Sequence, residues 1–184
     1  VIRRKIPQRR RVFIGCEGES ERSYVALLQK LLGQDARYHL VAEVLNGGDP
    51  LAIIESADKA LRRDKISGRP PFIGKFVILD SDLRGQSVQR DQACLKLAAR
   101  LSLRLIWQTP CHEAVLLRHL ENCGNRKPPT SRESEEQLSA QWPGYIKNFG
   151  RDRLAERLDL AAFARVSRYE TDLAVLLRLL GFVA

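Results

Sequence analysis

Residues 11–24 read RVFIGCEGESERSY. Val12-Phe13-Ile14 is a short apolar strand. Gly15 and Cys16 lead out of it, and three acids, Glu17, Glu19 and Glu21, follow around Gly18. From Ser20, a candidate N-cap, the stretch SERSYVALLQKLLG has Val25, Leu28 and Leu32 on one face and stops at Gly33, the pattern of an amphipathic helix. A buried strand that runs straight into a helix is the opening of a strand–helix–strand unit. The carboxylates between them need a reason.

The alternation continues downstream. HLVAEVLN (39–46) predicts a second strand, and GGDPLAIIESADKALRRD (47–64) a second helix with Asp49 as cap and Pro50 at its first position. KFVILD (75–80) is a third strand, SVQRDQACLKLAARLS (87–102) a third helix and LRLIWQT (103–109) a fourth strand. After Pro110, CHEAVLLRHLEN (111–122) starts another helix. Short apolar strands alternating with helices predict an α/β fold, a mainly parallel sheet with helices on both faces. Residues 124–150 break the pattern with a polar insertion containing Pro128-Pro129, Trp142 and Tyr145; its first half is expected to be mobile. The remaining residues predict two C-terminal helices. The expected organisation is a basic arm over 1–10 and one domain over 11–184.

Ligands of such sheets sit beyond the carboxyl ends of the strands. Glu17 follows the first strand, Asp80 ends the third with Asp82 two residues on, and Glu113 comes just after the fourth. Clustered carboxylates repel one another unless a cation neutralises them. Mg²⁺, or Mn²⁺, takes oxygen ligands while keeping waters, so Glu17, Asp80 and Asp82 are candidate metal ligands. In DSD, residues two apart on a strand-like segment point the same way. The alternative for Glu19 and Glu21 is a helix first turn, where acids suit the dipole.

The chain of 184 residues has 31 Lys+Arg against 22 Asp+Glu, a formal net charge of +9. That excess favours an anionic partner, nucleic acid above all, or else simply a solvated surface. Candidate backbone contacts are the arm residues Arg3, Arg4, Lys5, Arg9, Arg10 and Arg11, and Lys147. No apolar run has the length of a membrane span and no export signal is evident, so a cytoplasmic protein with no membrane partner is expected. Cys16, Cys94, Cys111 and Cys123 lack C-x-x-C spacing and are expected to be reduced thiols. Cys111, His112, His119 and Cys123 invite a zinc reading, but their spacing matches no established finger. His112 is alternatively a phosphate contact. No G-x-x-x-x-G-K-[ST] phosphate loop is present, so ATP hydrolysis by this chain is not expected.

Together, FIGCEGESE, FVILDSD and PCHEAVLLRHL resemble a Toprim domain, the fold shared by topoisomerases, primases and overcoming-lysogenization-defect nucleases. More narrowly, the chain resembles the RloB-like family over roughly residues 10–150. EGESE is similar to an E-G-x-x-[ST]-E start, PCHEAVLLRHL to a P-C-F-E-x-W-L-L-x-H motif and GYIKNF to a G-Y-x-K stretch. Here His112 stands where Phe is usual and Val115 where Trp is usual. The resemblance implies Glu17 as a metal ligand or general acid/base, Asp80 and Asp82 as metal aspartates, and Glu113 as a further acid of the site. It also implies a Mg²⁺-dependent nuclease that accompanies an AAA-type ATPase in bacterial phage defence, acting on DNA or RNA. A non-catalytic nucleic-acid-binding subunit and another metal-dependent phosphotransfer enzyme remain the alternatives.

Overall fold

The structure is a computed structural model that describes residues 8–34 and 36–184. In chain order the elements are β1 (Arg10–Cys16), α1 (Glu19–Leu32), β2 (Tyr38–Val44), α2 (Pro50–Ile66), β3 (Gly74–Asp80), α3 (Val88–Leu101) and β4 (Arg104–Gln108). Then come α4 (His112–His119), α5 (Ser131–Gln141), α6 (Arg151–Leu154), α7 (Leu160–Val166) and α8 (Thr171–Leu180). The four strands form one parallel sheet in the order β2-β1-β3-β4. The chain winds outward from β1 to β2, then crosses back to place β3 on the other side of β1. The switch point therefore lies between β1 and β3, where α/β sheets open a crevice beyond their carboxyl ends.

Both faces of the sheet are covered, which is why its strands read as continuous apolar runs. Val12, Ile14, Phe76, Ile78 and Ile106 face one core with Tyr24, Leu27 and Leu28 of α1 and residues of α4, α7 and α8. Phe13, Val77 and Leu79 face the other, against Ile53, Ile54 and Ala57 of α2 and Cys94 and Ala98 of α3. Gly15 permits the close approach of Leu45: a Cβ there would lie 2.7 Å from Leu45 Cδ1. Asp49 caps α2 by accepting from Leu51 and Ala52 N–H, with Pro50 at the first position, as the sequence predicts.

Three expectations change. Helix α1 starts before Ser20: Gly18 is its N-cap, and Glu21 reaches back to accept from the Gly18 N–H at 2.8 Å, one half of a capping box. The insertion, for which the sequence reading gives no element, carries a helix. Its polar residues form the outer side of α5, which anchors by Leu138 against α4. Trp142, Tyr145 and Phe149 then fold inward as a buried aromatic cluster, with ring centroids 5.1–6.0 Å apart. Finally, three helices follow the insertion instead of two, because the first turn, α6, is separate from α7 and α8. All four cysteines are buried, free thiols. Among the described residues, no helix is long and apolar enough to cross a membrane.

Burial of the insertion's aromatics has a measurable consequence. Trp142→Ala is expected to cost about 3–5 kcal/mol in urea unfolding, the usual range for a core aromatic. A loss below about 1 kcal/mol would match an exposed side chain instead.

Candidate functional site

A cleft of about 160 Å³ opens at the carboxyl end of the sheet, lined by Glu17, Glu19, Glu21, Asp80, His112, Glu113, Lys147 and Asn148 among others. Glu17 extends the β1–β3 ladder by one step, donating its N–H to the Ile78 carbonyl at 3.2 Å. Its carbonyl accepts from the Gly47 N–H at 3.0 Å. Its carboxylate accepts from the Asp80 backbone N–H at 2.8 Å. Two strands thus fix two acids side by side at the switch point.

Neither acid is comfortable there. Burial, opposed by the Asp80 N–H and reinforced by the charges of Glu21 and Asp82, pushes the Glu17 carboxyl up to about 7. Burial, followed by the charges of Glu17, Glu21, Glu113 and Asp82, pushes Asp80 up to about 9. Asp80 Oδ1 is buried and has no hydrogen-bond partner. Without a counter-cation this pair keeps at least one proton at neutral pH.

The other acids play different parts. Glu21 is buried; besides the Gly18 N–H, it lies 3.7 Å from His112 Nδ1. The sequence reading favoured its helix-end role, which is present, but its charge also acts on Glu17 and Asp80. Glu19 is half exposed and pairs with Arg22 at 2.6 Å. Glu113 is buried at the start of α4, 3.9 Å from Lys147 Nζ and 3.5 Å from the Tyr145 hydroxyl, which donates to it. β3 stops at Asp80, and residues 81–86 form a bend and turn, so strand periodicity does not orient Asp82. Asp82 is exposed, though its charge is felt by both central acids.

His112 is buried and its Nδ1 lies 2.7 Å from Gln108 Nε2, while His112 Nε2 and Gln108 Oε1 have no partner. Ser20 donates to Asn148 at 2.7 Å, tying α1 to the 145–149 segment beside the cleft. Nothing in the sequence pattern singled out Asn148 or Gln108. Only their place after GYIK and at the end of β4 hinted at the same sheet edge.

A zinc site does not form. His119 Nδ1 donates to the Val115 carbonyl at 2.8 Å and its Nε2 accepts from the Tyr24 hydroxyl at 3.0 Å. Burial lowers its pKa to about 3, and its two nitrogens are already used. Among the described residues no three His, Cys, Asp or Glu side chains converge closely enough to enclose a metal by themselves. Mg²⁺ needs no such enclosure. It is commonly held by one or two carboxylates and several waters. The orphaned Asp80 oxygen beside Glu17 fits that kind of site; a fully protein-ligated cation does not fit.

The basic candidates separate. Lys147 stands at the cleft mouth, 65% exposed. Arg10 opens β1 at the opposite end of the sheet, about 20 Å from Glu17 by strand rise. Arg9 donates to the Gln34 carbonyl. Arg11 does not serve as a free contact. It is buried, donates to Asp64 at 2.9 Å and to the Pro70 carbonyl at 2.7 Å, and stacks 4.2 Å over Phe72. Its long side chain covers the lower end of the second core and holds the Asp64 carboxyl below its ordinary range. Arg3, Arg4 and Lys5 lie outside the described residues.

The family model described as RloB-like protein matches residues 12–174. The chain belongs to the RloB-like family. No curated protein and no solved structure matches it. The RloB-like span runs from β1 into α8 and takes in every residue of the cleft.

The raised pKa values set a pH dependence. A carboxyl raised from 3.8 to about 9 favours the folded state fully only below about pH 4, and that advantage disappears as pH rises toward 9. In chelator, Asp80→Asn is therefore expected to be more stable than wild type at about pH 8, by about 1–2 kcal/mol after solvent screening is discounted, with the gap closing near pH 4. Added Mg²⁺ or Mn²⁺ should raise the melting temperature of wild type and leave the variant unmoved. Chemical and thermal denaturation across pH measure both.

Proposed function

We propose that this RloB-like chain is a Mg²⁺-dependent phosphodiesterase of Toprim type, acting on nucleic acid together with a partner AAA-type ATPase in phage defence. The observation that carries the hydrolytic part is the pair Glu17–Asp80: two half-buried carboxylates with raised pKa values, one with an unpartnered buried oxygen, at the switch point of a parallel sheet. Such strain between like charges is characteristic of functional sites. The partner and the defence role rest on the family resemblance.

Asp80 and Glu17 would hold the cation, with Asp82 reaching in from its turn. When bound, the cation supplies Lewis-acid polarisation of a phosphoryl oxygen and a lowered pKa for attacking water. Glu17, fixed at the rim by the Asp80 N–H, would also accept a proton from a water held beside the cation. Lys147 at the mouth offers its ammonium to a non-bridging phosphate oxygen. Glu113, held by Tyr145 and Lys147, keeps that ammonium over the cleft and serves as a positioning acid. The cleft is small and encloses little of a polymer, so a partner that positions the strand would supply much of the rate.

The test is cleavage of labelled DNA and RNA by the chain alone and with its cognate ATPase, in Mg²⁺, Mn²⁺ or chelator. Expected are metal-dependent cleavage that needs the pair, and loss of at least about 100-fold in Glu17→Gln or Asp80→Asn with complex formation retained. Full cleavage by the Asp80→Asn complex would assign the chemistry to the partner and leave this chain a binding subunit.

A further inference from the structure

Beside the acid cleft runs a larger groove, about 550 Å³ in volume, between α1, the edge strand β2 and the start of α6. Among the described residues its lining carries four cations, Arg9, Arg22, Lys30 and Arg151, and no acid. Between them Val25, Ala26, Leu40 and Ala42 make an apolar floor. The edge of β2 is partly closed: Leu40 N–H donates to the Gln29 side chain at 2.7 Å, which disfavours addition of a further strand there.

The groove and the cleft are neighbours along two pieces of chain. On α1, Glu19 lines the cleft and Arg22, its ion-pair partner at 2.6 Å, lines the groove. On the segment before α6, Lys147 and Asn148 line the cleft and Arg151 lines the groove. From Arg22 to Gly33 the groove follows about 17 Å of helix. A groove of this length along one helix offers a path for a single polynucleotide strand. At about 3.4 Å per nucleotide the length spans about five phosphates.

We propose that this groove is the track for a single-stranded nucleic acid whose backbone continues into the acid cleft. The proposal rests on the phosphodiesterase reading for the cleft end of the track, but binding along the track is measured without catalysis. Cations on both walls would meet phosphates, while the apolar floor takes sugar or base faces, the combination that single-strand readers use. Asp152 lies between two of the cations, 2.9 Å from Lys30 and 3.3 Å from Arg151, and holds both side chains over the groove while lowering its net charge.

A second basic pocket provides an internal comparison. At the opposite end of the sheet, Arg62, Lys65, Arg69, Lys75 and Arg100 line a hollow of about 500 Å³ interleaved with Asp58 and Asp64. Asp58 and Asp64 take up Arg62 and Arg69.

Fluorescence anisotropy in chelator, with labelled oligo-dT and oligo-U of about 12 nucleotides, tests the proposal. Lys30→Gln/Arg151→Gln should weaken binding about tenfold or more and reduce the slope of log Kd against log salt by about 1.4, the value for two single-strand phosphate contacts. Lys65→Gln/Arg100→Gln, an equal charge change in the other hollow, should alter Kd less than about twofold, and Asp152→Asn should tighten binding severalfold. A duplex of the same length should bind more weakly. Equal losses in the two double variants would overturn the track in favour of diffuse charge, and so would stronger binding of duplex. Preferential binding of polyglutamate would reassign the groove to an acidic protein. Catalysis and track fail separately. A chain whose Asp80→Asn complex still cleaves, yet whose groove variants lose oligonucleotide, keeps the track and loses the phosphodiesterase reading; the reverse pattern does the opposite.

Discussion

The hydrogen bond from the Asp80 N–H to the Glu17 carboxylate, 2.8 Å long, is the constraint on which the site depends. It exists because β1 and β3 are parallel neighbours in register from Val12–Gly74 to Cys16–Ile78. That register brings one acid from each strand to the same rim. The bond opposes the rise in Glu17's pKa caused by burial, yet it also commits Glu17 to a place beside Asp80, where its charge raises the Asp80 pKa. Folding thus holds an electrostatic conflict at the one edge of the sheet where the topology opens a crevice. A divalent cation would resolve the conflict and use it.

Charge elsewhere is arranged around that conflict. The acids are gathered in a cleft of modest size, while cations line the open groove beside it and the hollow at the other end of the sheet. Arginines that look interchangeable in the sequence do different things. Arg11 and Arg118 are buried structural anchors: Arg11 joins β1 to Asp64, and Arg118 pairs with Glu170 at 2.8 Å while donating to the Thr109 carbonyl. Arg22 and Arg151 keep substantial exposure on the groove. A net charge of +9 is therefore a poor guide to a binding surface until the buried, structurally committed residues are set aside.

The sheet, its three crossover helices and the placement of Glu17, Asp80 and Glu113 on one rim were legible because they follow from local signals: apolar runs, the Asp49-Pro50 start and strand ends. What stayed hidden depended on distant contacts. The polar composition of 124–150 concealed that residues 142, 145 and 149 turn inward, since only the aromatic cluster and α4 make that burial worthwhile. Glu21 looked like a helix-end acid, and is one, but His112 approaches it from α4, a neighbour that no spacing rule provides. Asn148 is held beside the cleft by Ser20, 128 residues away in the chain. Asp82 lies in the turn two residues past the end of β3, where strand periodicity does not set its direction.

The account's central claim is that Glu17 and Asp80 share a half-buried, cation-seeking site. Carboxyl carbon chemical shifts, followed by NMR through a pH titration of the selectively labelled protein, test it most directly. In chelator, Asp80 should titrate near 9 and Glu17 near 7. Both should drop toward the ordinary carboxylate range of about 4 when Mg²⁺ is added, because a bound cation favours the charged forms. Titration of both residues near 4 in chelator, with no response to Mg²⁺, would contradict the claim.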